Sequence, residues 1–124
     1  MGMTEKVLAL GAASEAAAGL ILAVAPALFI RLLMGVALSG VGIALGRLTG
    51  FALIALGVAC WPLAAASGRA PAVRALLVYS ALATVYLATL GVDGRLVGVL
   101  LWPAIVAHAM LTLLLARAWF GRSL

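Results

Sequence analysis

Five side chains in this 124-residue sequence are of types that could work together chemically: Glu15, Arg47, Tyr79, Tyr86 and His108. Each falls inside a long apolar stretch, where an ionisable group is expensive. A charge at the centre of a bilayer costs from roughly 3 to more than 10 kcal/mol, so one that is retained faces protein, a partner charge or a water-filled path. Glu15 is the sharpest case, because it is the one acidic side chain far from any predicted membrane surface. Two kinds of chemistry are open to it. As a proton or cation site it could exchange its proton for a solute, with His108 relaying protons. As a structural ion pair it would meet Arg47, with His108 and a tyrosine satisfying the remaining lone pairs and fixing one packing register.

Spacing brings these groups to comparable depth. With a rise of about 1.5 Å per residue, Glu15 lies roughly 12 Å below a first span entered near Val7, and His108 lies roughly 18 Å from the opposite surface. Arg47 enters from that opposite side, and its long stem can reach inward or snorkel outward. Tyr79 and Tyr86 are seven residues apart and share a helix face. Small residues accompany the polar ones. Gly11 and Gly19 flank Glu15 at four-residue spacing, and Gly42, Gly46 and Gly50 repeat the pattern beside Arg47, a spacing that lets helix backbones approach closely.

The elements that must position these residues follow from composition. Hydrophobic residues make up 68% of the chain and charged residues 9%, with a mean hydropathy of +1.34, so lipid has to serve as solvent for most of the surface. A span needs about 20 apolar residues to cross a hydrocarbon core of roughly 30 Å. The chain therefore accommodates four spans, expected over about 7–25, 41–61, 71–90 and 96–119, as a single all-α transmembrane domain in an antiparallel bundle. Lys6 ahead of an apolar run ending in Ala-Val-Ala resembles a signal peptide, but Glu15 interrupts the run and Pro26 follows it, so an uncleaved first span is expected.

Punctuation along the chain supports these limits. Pro26 predicts a kink or a new helix, leaving Pro26 to Met34 along the interface with Arg31 turned to head groups. The glycines of the 35–42 segment predict a turn, Pro71 a helix start, and Gly91-Val92-Asp93-Gly94 a tight turn between antiparallel neighbours. Pro103 predicts a kink one turn before His108. Lys6, Arg69, Arg74, Arg117 and Arg122 gather on the side of both termini, against Arg31 and Arg95 opposite, with Arg47 ambiguous. The positive-inside tendency then predicts cytoplasmic termini in a bacterial inner membrane, with Trp119 and Trp102 as interfacial anchors.

Several function classes are disfavoured. The net charge of +5 is scattered singly at span ends, which suits orientation and anionic head groups rather than nucleic acid. One histidine, one cysteine and three acids, two of them near surfaces, do not supply the three or four ligands of a zinc site, and one histidine cannot ligate a haem twice. No phosphate-binding glycine loop or nucleophile elbow is present. Neither an enzyme, a metal nor a cofactor is expected, and Cys60 reads as a small packing residue.

Gly19 to Gly35 with Pro26 and the closing Leu-Leu-Met-Gly, then Arg47-Leu-Thr-Gly50 and Leu56-Gly57-Val58-Ala59-Cys60-Trp61, resemble small four-helix bacterial membrane proteins of the DoxX-like group. That resemblance implies the four-helix fold. Glu15 also resembles, by position, the first-helix glutamate of small multidrug-resistance transporters, which implies proton-linked export. The sequence differs from that family in having Ala83-Thr84-Val85-Tyr86 in place of an Ala-Tyr-Ala-x-Trp segment, and in carrying Arg47 and His108. Two functions are thus expected from the sequence. The first is a non-enzymatic accessory or scaffold subunit, self-associating or joined to a larger membrane complex through its glycine-rich faces. The alternative is a proton-linked transporter of a small lipophilic or cationic solute. Transport requires a cavity reaching Glu15, whereas the scaffold seals Glu15 against Arg47 or His108.

Overall fold

The computed structural model describes residues 2–63 and 65–121. It contains α1 (Met3–Val24), α2 (Pro26–Met34), α3 (Val41–Cys60), α4 (Ala70–Asp93) and α5 (Leu101–Phe120), with a short 3-10 turn at Ala66–Gly68 and no strand among the described residues. Four of these helices, α1, α3, α4 and α5, are long and apolar enough to cross a membrane. The chain is an all-α, multi-pass membrane protein. In lipid every backbone polar group needs an internal partner, and a helix provides one for all but its ends.

The ends are built from proline and glycine. Ala25 leaves helical geometry at φ −134°, ψ 63°, and Pro26 opens α2 at a position whose missing N–H costs nothing. Gly35 closes α2 at φ 72° and Gly94 closes α4 at φ 78°, left-handed conformations in which a side chain would be strained. Helix α4 therefore runs through Gly91 to Asp93, and the turn expected there begins at Gly94. Likewise α5 starts at Leu101 rather than near Leu96, which puts Pro103 in its first turn. Amides in a first turn have no intrahelical acceptor, so Pro103 removes no helical hydrogen bond and the reason for a kink disappears. The residues before it pair with α2 instead: the Gly98 amide donates to the Leu33 carbonyl at 3.0 Å and the Leu100 amide to the Leu32 carbonyl at 2.9 Å.

Contacts across the bundle give its topology. Gly19 lies against Gly50 and Ala12 against Gly57, so α1 and α3 are antiparallel. Gly11 meets Leu76 and Leu111, and Glu15 meets Tyr79 and His108, so α1 is parallel to α4 and antiparallel to α5. The helices run up, down, up, down, with both ends of the described chain on one side. The most extensive seams are α1 on α3 and α4 on α5, whereas α3 touches α4 sparsely. Glycine accounts for the first seam. A Cβ on Gly19 would stand 2.6 Å from the Gly50 carbonyl oxygen, and one on Gly57 the same distance from that of Ala12. The other expected packing glycines do different work: Gly46 meets Pro26, Gly42 meets the side chain of Leu38, and Gly11 meets only leucine methyls.

Two apolar clusters hold the bundle. At the terminus side Val7, Leu8, Ala12, Cys60, Val73, Leu76, Leu111 and Leu115 are buried together, and Glu5 accepts an ion pair from Arg69 at 3.1 Å beside them. At the far side Leu87, Leu101 and Ile105 form the smaller cluster. Glu15 lies between the two.

Candidate functional site

Glu15 reaches the interior because it follows Gly11 and precedes Gly19 on the buried stripe of α1, and it is only 3% exposed. Its Oε1 lies 3.7 Å from His108 Nδ1 on α5, within ion-pair reach but longer than a good hydrogen bond. Tyr79 on α4 lines the same cavity beside the carboxyl. Tyr79 also meets the His108 ring edge-on, with centroids 5.9 Å apart and planes at 77°. Edge-to-face packing is a favoured aromatic geometry, and here it holds two polar rings around one acid. One turn further along α5, the Thr112 hydroxyl donates to the His108 backbone carbonyl at 2.7 Å.

These three residues stand at the wall of a cavity of about 500 Å³. Its volume falls in the range of small-molecule sites, and its lining is predominantly apolar with few polar groups, the usual pattern for such sites. Leu22, Leu53 and Leu87 form inner walls, and α2 supplies Phe29, Ile30, Leu33 and Met34. Thr49 on α3 and Leu82 and Tyr86 on α4 line the cavity while remaining exposed, so it opens to the surroundings along the sparse α3–α4 seam. Toward the termini it is closed by the larger core cluster, whose Leu8, Leu76 and Leu115 are fully buried.

The five chemically suggestive residues therefore separate. Glu15, Tyr79 and His108 converge, and Tyr86 joins the cavity at its open side with 61% of its surface exposed. Arg47 does not join. It is exposed on α3 and forms no hydrogen bond or ion pair among the described residues, so the expected Glu15–Arg47 pair is absent. The physical reason lies in the helix phase. Gly46 and Gly50 face α1 and α2, and Arg47 is rotated about 100° from Gly46, away from that seam. Arg122, one of the cations assigned to the terminus side, lies outside the described residues.

The contribution of α2 was not legible as part of the site. Pro26 to Met34 reads as an interfacial segment, yet it packs over the cavity and is fastened by the Gly98 and Leu100 amides. The signal available was the pair Gly35 and Gly98, both needed where the two backbones approach: a Cβ on Gly35 would lie 2.7 Å from the Val97 carbonyl oxygen. No group of three or more metal-ligating side chains occurs among the described residues. No protein-family model, curated protein or solved structure matches the chain.

Proposed function

We propose that the protein is a proton-linked transporter of a small lipophilic or cationic solute, with Glu15 as the position shared by proton and solute. The observation that carries this reading is the cavity of about 500 Å³ lined by the buried Glu15 carboxyl, which no arginine pairs and which His108 approaches at 3.7 Å, longer than a good hydrogen bond. A single carboxylate surrounded by Tyr79 and His108 can hold a proton or face a cation, but one occupant discourages the other. That competition couples the two fluxes. Apolar and aromatic walls suit a solute that partitions into membranes, and the opening between α3 and α4 offers it a path from lipid. Transfer to the terminus side would require Leu8, Leu76, Leu111 and Leu115 to part.

In this reading the chain sits in a bacterial inner membrane with cytoplasmic termini. The support is the gathering of Lys6, Arg69, Arg74 and Arg117 at the terminus end. The accessory-subunit alternative drew on glycine faces free to receive a partner. Gly19, Gly50 and Gly57 are instead occupied inside the bundle, so a homo-oligomer or larger complex would have to use the exposed apolar faces.

The test is proton release in liposomes containing the full chain, on addition of tetraphenylphosphonium as a lipophilic cation. Wild type should release protons and Glu15→Gln should not. Equal release by both would overturn the mechanism.

A further inference from the structure

We propose that the furrow between α1 and α5 at the terminus end binds one anionic phospholipid, its phosphate at Arg117 and Thr4 and one acyl chain along Val7, Leu114, Leu10 and Met110. Two adjoining hollows of about 390 and 290 Å³ make up this furrow, and Leu114 is common to both. It shares no lining residue with the Glu15 cavity, and Val7 and Leu111 of the core cluster form part of its wall.

The outer end carries the polar groups. Arg117 is exposed in the last turn of α5 and has no ion-pair or hydrogen-bond partner among the described residues. The one acid at this end, Glu5, is already held by Arg69 at 3.1 Å. Thr4 is also available. Thr49, Thr84, Thr89 and Thr112 each donate a hydroxyl hydrogen bond to a carbonyl three or four residues earlier, whereas Thr4 sits in the first turn of its helix and makes no such bond among the described residues. A guanidinium and a free hydroxyl at the end of two membrane-spanning helices stand where lipid phosphates lie.

The rest of the furrow identifies the occupant. From Thr4 to Ser14 it follows α1 for ten residues, about 15 Å at 1.5 Å per residue. That is half of a hydrocarbon core of roughly 30 Å, the depth of one leaflet. Beyond Arg117 and Thr4 its lining is apolar apart from Ser14, whose hydroxyl already donates to the Leu10 carbonyl at 2.7 Å. A soluble phosphate would gain nothing from such a floor. An acyl chain would fill it.

The experiment is native mass spectrometry of the full chain released from detergent micelles with phosphatidylglycerol or phosphatidylcholine. Wild type should retain one phosphatidylglycerol per chain in preference to phosphatidylcholine. Arg117→Gln should lower retention about fivefold, the equivalent of roughly 1 kcal/mol per basic residue near an anionic lipid. Arg117→Lys should keep most of it, showing that the helix end is intact, and Ser14→Phe should lower it by filling the furrow. Arg74→Gln removes another unpaired cation at the same end, away from the furrow, and should change nothing. An equal loss with Arg74→Gln would make the attraction a diffuse surface effect and overturn the site. So would displacement by soluble glycerol phosphate, or undiminished binding in Ser14→Phe.

Discussion

Gly50→Ala and Gly11→Ala are the same chemical change on small-residue stripes, yet the structure requires opposite outcomes. Replacing glycine by alanine inside a helix favours the helix by up to about 1 kcal/mol through backbone entropy and propensity. At Gly11 the new methyl meets only the terminal carbons of Leu111 and Leu76, at 3.2 Å. Those ends can rotate by a few tenths of an ångström, so most of the propensity gain should survive. At Gly50 the methyl would stand 2.6 Å from the Ala23 amide nitrogen and from the Gly19 carbonyl oxygen. Ordinary contact to carbon is about 3.5–4.0 Å, so α1 and α3 would have to separate by about 1 Å, and no side-chain rotation can absorb that. Overpacking of this kind costs about 1–3 kcal/mol, so after a propensity gain of up to about 1 kcal/mol Gly50→Ala is left destabilised by up to about 2 kcal/mol. The assay is reversible unfolding in mixed micelles titrated with sodium dodecyl sulfate, followed by helicity. Gly50→Ala should unfold earlier than wild type and Gly11→Ala at the same point or later. If both variants shift in the same direction by similar amounts, the α1–α3 backbone contact does not carry the stability assigned to it.

Other expectations separate the site from its surroundings. Ala104→Phe projects a ring into the cavity wall and should weaken tetraphenylphosphonium binding by tenfold or more in equilibrium dialysis. Arg47→Leu should leave stability unchanged or slightly higher in the same micelle titration, because the exposed guanidinium has no partner to lose; a loss of 3 kcal/mol or more would indicate a buried pair that the structure does not contain. Glu5→Gln breaks a partly exposed ion pair with Arg69 and should cost less than about 1 kcal/mol by that measurement.

The architecture was legible in the sequence because its cause is one-dimensional. Four apolar stretches of spanning length, each bounded by proline, glycine or arginine, leave few ways to satisfy backbone hydrogen bonds in lipid. The boundaries that shifted were those decided by contacts from elsewhere. Leu96 to Leu100 are apolar enough to begin a helix, but two of the last amides before α5 are taken by the Leu32 and Leu33 carbonyls of α2. Spacing likewise showed that Glu15 and His108 could share a depth, and they do, at 3.7 Å. It could not show helix rotation. Arg47 is adjacent in sequence to Gly46, which faces Pro26, and one residue's rotation sends Arg47 outward.

That rotation changes what Glu15 can do. An arginine in contact would neutralise the carboxylate permanently and make proton or cation exchange at the site unfavourable. His108 and Tyr79 impose no such permanent charge, since each can be present in neutral form and can donate or accept a hydrogen bond. In the proposed reading a carboxyl with no arginine against it can change its occupant, whereas the same carboxyl paired with arginine would be a fixed pin. Tightly packed leucines close the cavity on the terminus side, so in this conformation the carboxyl would be reached from the α3–α4 side. In the proposed transport reading, net movement of solute requires rearrangement of that cluster, and the α3–α4 side, sparsely packed beside the α1–α3 and α4–α5 seams, is where the cavity meets the surroundings.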